Sequence, residues 1–202
     1  MTRPRPPSDV AFTPSVKAAQ ERMGSRRAYA AMEAGDGWAT TITDDLARFV
    51  AAQTSVFLAT ANLDGQPYIQ HRGGPPGFLH VLDERTLGFA DLRGNRQYIS
   101  VGNLADNPRV HLFLIDYAHR RRVKIWGHAT VVVDDAALLA RLTPAGARAE
   151  RAIRIAVTAW DANCPQHIPR RLDAADVEAA LARRDARIAE LEAQLAAARA
   201  AR

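Results

Sequence analysis

The stretch FADLRGNRQYISVGNLADNPRV, residues 89–110, decides the fold of this chain. It opens as a buried strand and then places Asp91, Arg93, Asn95, Arg96 and Gln97 in one turn around Gly94. A short polar helix is expected after Gly94, ending near Asn107-Pro108, because proline cannot continue a helix. A helix N-terminus carries unpaired N–H groups and the positive end of the dipole, so it attracts anions. Cationic side chains there oppose the dipole, and Arg93 and Arg96 make sense in that place if an anion sits between them. Gly94 permits close backbone approach, and Asn95 and Gln97 add neutral donors. The alternative is a surface helix start with two solvated arginines, since the dipole penalty is only about 0.3–1 kcal/mol.

Outward from this stretch the pattern is mostly β. SVFLATA (55–61) is short and apolar, Asn62-Leu63-Asp64-Gly65 is a turn, and PYIQHR (67–72) alternates with period two. That alternation sends Tyr68 and Gln70 one way, Ile69 and His71 the other. Gly73 to Gly77 must be a loop, and FLHVL (78–82) and TLGFA (86–90) read as strands around Asp83-Glu84-Arg85. RVHLFLID (109–116), RVKIWGHATVV (122–132) and RAIRIAVTAWD (151–161) read as three more strands, with a short helix capped by Asp134-Asp135 and running to about Leu142. Strands at this spacing with few crossover helices suggest a closed antiparallel barrel.

The chain divides into a proline-rich, mobile segment (1–13), a helical segment (14–42), the β domain (43–172) and a C-terminal helix (173–202). Thr13-Pro14 starts one helix and Arg26 to Glu33 forms a second. Thr43-Asp44-Asp45 starts a third, with acidic residues in the favoured first turn. In the tail, Val177, Leu181, Arg184, Ile188, Leu191, Leu195 and Ala198 recur at alternating spacings of four and three, a heptad seam. It reads either as a coiled-coil strand or as a lone amphipathic helix on its own domain, and Arg184 within the seam weakens the first reading.

The chain has 202 residues, 48% of them hydrophobic, enough for a real core. Its net charge is +5, and Lys17 and Lys124 are the only lysines. Arginine suits bidentate contact with phosphate or carboxylate. Only 6% of residues are aromatic and none interleave with the arginine runs, which argues against a nucleic-acid stacking platform. One cysteine, Cys164, excludes an internal disulfide and fits a reducing, cytoplasmic setting. Neither an apolar leader nor a membrane-spanning run is expected. Six scattered histidines, with no HExxH and no CxxC, support no metal site.

The order of strand, NxDGxPYIQ, glycine-rich break, FADLRGNRQYISVGNL, NPRV, VKIWGHATVV and NCPQHIPRR resembles the FMN-binding proteins related to pyridoxamine 5'-phosphate oxidase. The resemblance implies a split antiparallel β-barrel with flanking helices, working as a homodimer with FMN at the subunit interface. It implies an FMN phosphate at Arg93, Asn95, Arg96 and Gln97. The isoalloxazine and ribityl groups would run along Gln70, His71, Arg72 and Asp91. Gln166 and His167 would serve the partner subunit's flavin, and Trp126 would stack near the flavin or cross the dimer seam. The oxidases carry an Arg followed five residues on by a Lys, whereas this chain follows Arg72 with Gly73-Gly74-Pro75-Pro76-Gly77, so the oxidase's own substrate is not implied. Within the same fold, haem or the deazaflavin F420 is the alternative ligand, and a non-enzymatic flavin-binding scaffold with a coiled-coil tail is the alternative role.

Overall fold

A computed structural model describes residues 5–35, 37–163 and 165–201. Among these residues, β1 (Ser55–Ala61), β2 (Pro67–Gly73), β3 (His80–Asp83), β4 (Thr86–Leu92), β5 (Arg109–Asp116), β6 (Arg121–Val132) and β7 (Ala149–Asn163) form one sheet. Its order is β2-β1-β5-β6-β7-β4-β3. Two-residue alternation sets the faces. Val56, Leu58 and Thr60 of β1 point inward beside Arg72, Gln70 and Tyr68 of β2, while Phe57 points outward beside His71. Leu58, Leu87, Leu112, Leu114, Ile125, Ile153 and Ile155 fill the interior and are fully buried.

The barrel is split, as the family resemblance implies, and not closed as strand spacing alone suggests. β2 and β3 are the two sheet edges and do not pair with each other. The sheet nevertheless curls. Arg72 on β2 bonds Asp91 on β4 at 2.6 Å, although four strands lie between β2 and β4 in the hydrogen-bonded order. Only a sheet bent back on itself brings those two side chains together.

The register of β6 against β7 shifts between Trp126 and Gly127, leaving Thr158 as the extra residue of a bulge on β7. A Cβ on Gly127 would stand 2.5 Å from the Ala156 carbonyl oxygen, a backbone atom that cannot move aside cheaply. Gly127→Ala is therefore expected to destabilise the fold by about 1–3 kcal/mol, read as a lowered midpoint in urea unfolding. An unchanged midpoint would refute this reading of the bulge.

The helices begin where side chains satisfy their first N–H groups. Thr13 accepts from the Val16 N–H to start α1 (Pro14–Arg22), and Thr43 from Leu46 to start α3 (Asp44–Ala51), after the intervening α2 (Arg26–Ala34). Residues 7–10, expected within a mobile segment, form a 3-10 turn with Ser8 fully buried. Phe12 anchors it against Tyr29 and Trp38, at centroid distances of 5.2 and 5.1 Å, and Trp38 stacks on Trp126 of the barrel at 4.6 Å. The Trp160 indole N–H also donates to the Thr41 carbonyl, 2.8 Å, tying this segment to β7.

Several boundaries differ from the sequence expectation: Gly73, expected in a loop, ends β2, β6 starts at Arg121 and β7 runs on to Asn163. Phe78 and Leu79 precede β3, buried in a turn closed by Phe78 N–H to the Pro75 carbonyl at 3.0 Å. β7 begins at Ala149. A larger difference concerns α4 (Ile99–Asp106), which starts five residues after Gly94. Arg96 and Tyr98 both have positive φ, 61° and 54°, which a right-handed helix cannot include. The short helix α5 (Ala136–Leu142) follows β6 and is capped by Asp135 at 2.8 Å.

Residues 116–121 and 165–201 pack as a second unit. Within it the Arg171 guanidinium lies 4.7 Å over the Tyr117 ring, Ile168 is buried, and His119 bonds Asp116 at 2.8 Å. The unit ends in α6 (Ala174–Ala200), 27 residues long with none buried. No helix among the described residues is long and apolar enough to cross a membrane.

Candidate functional site

A shallow cleft opens where β2, the end of β4 and the start of α4 meet. Its floor follows from strand alternation, since Tyr68, Gln70 and Arg72 share the inward face of β2. Its wall is the loop 93–98, whose shape is set locally. The Asn95 side-chain oxygen accepts from the Gln97 N–H at 3.2 Å, and its amide donates to the Gln97 side chain at 3.3 Å. This Asx-type turn competes with helix formation and delays α4 to Ile99.

Asp91 is the electrostatic centre. Buried at the end of β4, it bonds Arg72 at 2.6 Å and lies 3.7 Å from Arg151 of β7, its register partner. A bulge at that point leaves Glu150 as the extra residue of β7. Bulges commonly re-aim side chains beside functional sites. Here Glu150 bonds Arg151 at 2.6 Å and accepts from the Tyr98 hydroxyl at 3.5 Å. The Arg151 guanidinium also lies 4.9 Å over the Tyr98 ring. The left-handed Tyr98 is thus held from two sides. The side-chain hydrogen bond with Tyr98, then the charge of Glu150, push the Arg96 pKa up from its ordinary value.

α4 is seated by buried polar links. Asn103 donates to Thr60 of β1 at 2.9 Å, and Ser100 donates to the Gln70 side-chain oxygen at 3.3 Å. Tyr68 donates to the same oxygen at 3.4 Å, so Gln70 keeps its amide N–H groups as donors. No side chain caps the α4 N-terminus, and Ile99, Ser100 and Val101 of its first turn line the cleft. Among the described residues the Arg72 Nε, like the Arg122 Nε elsewhere, is buried without a hydrogen-bond partner.

Gln70, Arg72, Asp91, Asn95, Arg96 and Gln97 therefore meet at one cleft. Arg93 sits beside it, exposed, with its backbone N–H on the Arg148 carbonyl at 3.0 Å. His71 lies on the opposite face of β2, because consecutive strand residues point to opposite sides; its ring bonds Ser55 at 2.8 Å. Trp126 faces outward from β6, between Trp38 and His111. Burial, and then the charge of Lys124, push the His111 pKa down. Gln166 and His167 belong to the second unit, where both are exposed. Cys164, the lone thiol, lies outside the described residues.

Sequence reasoning missed Tyr98, Ser100, Glu150 and Arg151. Tyr68 was accessible from the alternation that links it with Gln70. Glu150 and Arg151 had no local signal, because their position depends on the β4–β7 register and its bulge.

The family model described as pyridoxamine 5'-phosphate oxidase matches residues 42–164. Similar solved structures include HupZ of Group A Streptococcus, 17% identical, covering 65% of this chain and 99% of that one, with a TM-score of 0.48. An FMN-binding protein from Syntrophomonas wolfei is 10% identical, covering 74% and 95%, with a TM-score of 0.47. A haem storage protein from Vibrio cholerae is 14% identical, covering 57% and 88%, with a TM-score of 0.40. No curated protein matches the chain.

Proposed function

Because this chain belongs to the pyridoxamine 5'-phosphate oxidase family, we propose that it is an FMN-binding oxidoreductase that works as a homodimer. The observation that carries this reading is the donor set of the cleft. Two guanidinium groups, Arg72 and Arg96, line the cleft, and its two carboxylates, Asp91 and Glu150, are both paired with Arg151. Beside them stand an uncapped helix N-terminus and the Gln70, Asn95 and Gln97 amides. The guanidinium groups, helix amides and side-chain amides are the donors that recognise a phosphate ester, through charge-assisted hydrogen bonds. The unpartnered Arg72 Nε points the same way, since a buried donor carries a desolvation cost until an acceptor reaches it. The residues present therefore fit FMN.

In this assignment Arg96, Asn95, Gln97 and the first-turn amides of α4 hold the phosphate, with Arg93 adding positive charge at the rim. Gln70 orients the rest of the ligand by donating from its amide. Asp91, itself held by Arg151, fixes the Arg72 guanidinium, so that it needs no reorganisation when ligand arrives. Flavin, when bound, supplies the redox chemistry, and the protein supplies binding, orientation and electrostatics.

Dimer formation is supported by the outward sheet face. Phe57 is 37% and Ile69 66% exposed there, and Phe57 lies beside His71 and Phe113 in the strand registers. A second subunit on that face would bury apolar surface that water now covers. It would also bring His71, and Trp126 on the outward side of β6, to an inter-subunit surface. The family resemblance alone assigns Gln166 and His167 to the site of the partner subunit.

The deciding measurement is an absorption spectrum of the purified protein, with mass identification of the released ligand. Flavin bands and an FMN mass are expected. A Soret band, an F420 mass, or a colourless protein that refuses added FMN would overturn the proposal. Arg96→Ala should weaken FMN by about 1.5–3 kcal/mol, roughly 10- to 150-fold in Kd, by flavin fluorescence titration. Unchanged affinity in the folded variant would remove Arg96 from the phosphate site.

A further inference from the structure

The C-terminal helix α6 places its large apolar residues on one seam and leaves them exposed. Val177 is 38%, Leu181 47%, Ile188 49%, Leu191 46% and Leu195 51% exposed. In heptad terms Leu181, Ile188 and Leu195 fall at a, and Val177, Arg184, Leu191 and Ala198 at d. The b positions (Ala175, Ala182, Ala189, Ala196) and the f positions (Ala179, Ala186, Ala193, Ala200) are all alanine. The repeat is thus stricter than the apolar residues alone suggest. We propose that α6 pairs with α6 of a second copy of this chain as a parallel, in-register two-stranded coiled coil.

Charge complementarity selects both partner and direction. In a parallel pair, g of one heptad faces e of the next on the other helix. Arg187 at g then meets Glu192 of the second copy, and symmetry makes this contact twice. A d side chain packs among four residues of the facing helix, and in a parallel pair these include e of the same heptad. That residue is Asp185, so the polar position in the seam, Arg184, gains a carboxylate partner. An antiparallel pair over the same span would set Val177 against Leu195 and Leu181 against Leu191. It would also set Arg187 against Arg187 and Asp185 against Asp185, and like charges in register suppress the wrong pairing. Arg187 bonds Glu190 of its own helix at 2.5 Å, an exposed pair worth little, so the exchange of partner costs little.

The proposal is tested on the full chain with Cys164→Ser as background. Leu195→Cys should form a disulfide-linked species of twice the chain mass under mild oxidation. Ala193→Cys, at the outward f position, should not. Arg187→Glu in the Leu195→Cys chain should lower the cross-linked fraction, and adding Glu192→Arg should restore it. Three results would overturn the proposal: no link at Leu195→Cys; equal linking at Ala193→Cys; or linking only when Val177→Cys and Leu195→Cys chains are mixed, the sign of antiparallel pairing. These readouts do not depend on flavin, so this inference and the FMN reading fail separately.

Discussion

Arg72→Met is expected to cost about 3–5 kcal/mol of folding stability, because it strands the buried Asp91 carboxylate. Both side chains are largely withdrawn from water, at 15% and 8% exposure, so solvent screening does not dilute the loss as it would at the surface. Arg151 at 3.7 Å offsets part of it, but its guanidinium already serves Glu150. Urea unfolding gives the measurement. The double variant Arg72→Met with Asp91→Leu should recover most of the loss, since replacing a whole buried pair with apolar residues is often neutral. If the single variant unfolds at the wild-type midpoint, Arg72 and Asp91 are not a buried pair. If the double variant is no better than the single, the penalty came from packing and not from an orphaned charge.

Phe89→Ala should be of similar size, about 3–5 kcal/mol for a fully buried aromatic. For a chain of this length that corresponds to a melting point lower by roughly 6–20 °C, at about 2–4 °C per kcal/mol. Phe89 belongs to β4, two residues before Asp91, and the Arg72 guanidinium stands 6.0 Å from its ring centroid. The cavity therefore opens directly behind the cleft. FMN affinity should fall with stability, whereas Phe89→Leu, which retains most of the volume, should recover both. A melting point within about 2 °C of wild type, as for an ordinary surface substitution, would contradict the packing described above.

Much of this architecture was legible in the sequence because each strand announces itself locally. Alternation in PYIQHR, turn residues at Asn62–Gly65 and the apolar run of RVHLFLID need no tertiary information. The helix caps at Thr13 and Thr43 were equally local. The cleft was legible in part. The composition of residues 91–97 pointed to an anion, but their backbone did not follow. Helix propensity placed the N-terminus next to Gly94, while the Asn95 turn and two left-handed residues moved it to Ile99. The N-terminal segment was read as mobile from its prolines, yet Phe12 finds an aromatic pocket made by Tyr29 and Trp38. Such pockets assemble only after distant residues have met.

β2, which supplies the cleft floor, is also a free sheet edge with an apolar outer face. Edges of that kind can template growth by strange chains. Here imino acids fence it: Pro67 stands at one end and Pro75-Pro76 lie just past the other, leaving Tyr68 to Gly73 as the stretch of β2 able to offer a continuous ladder. That stretch is as long as the shortest amyloid-forming segments, but Arg72 and Gly73 within it run against the low charge and low glycine content such segments need. The same strand thus stays an open edge while its prolines, charge and glycine make it a poor template for fibrils.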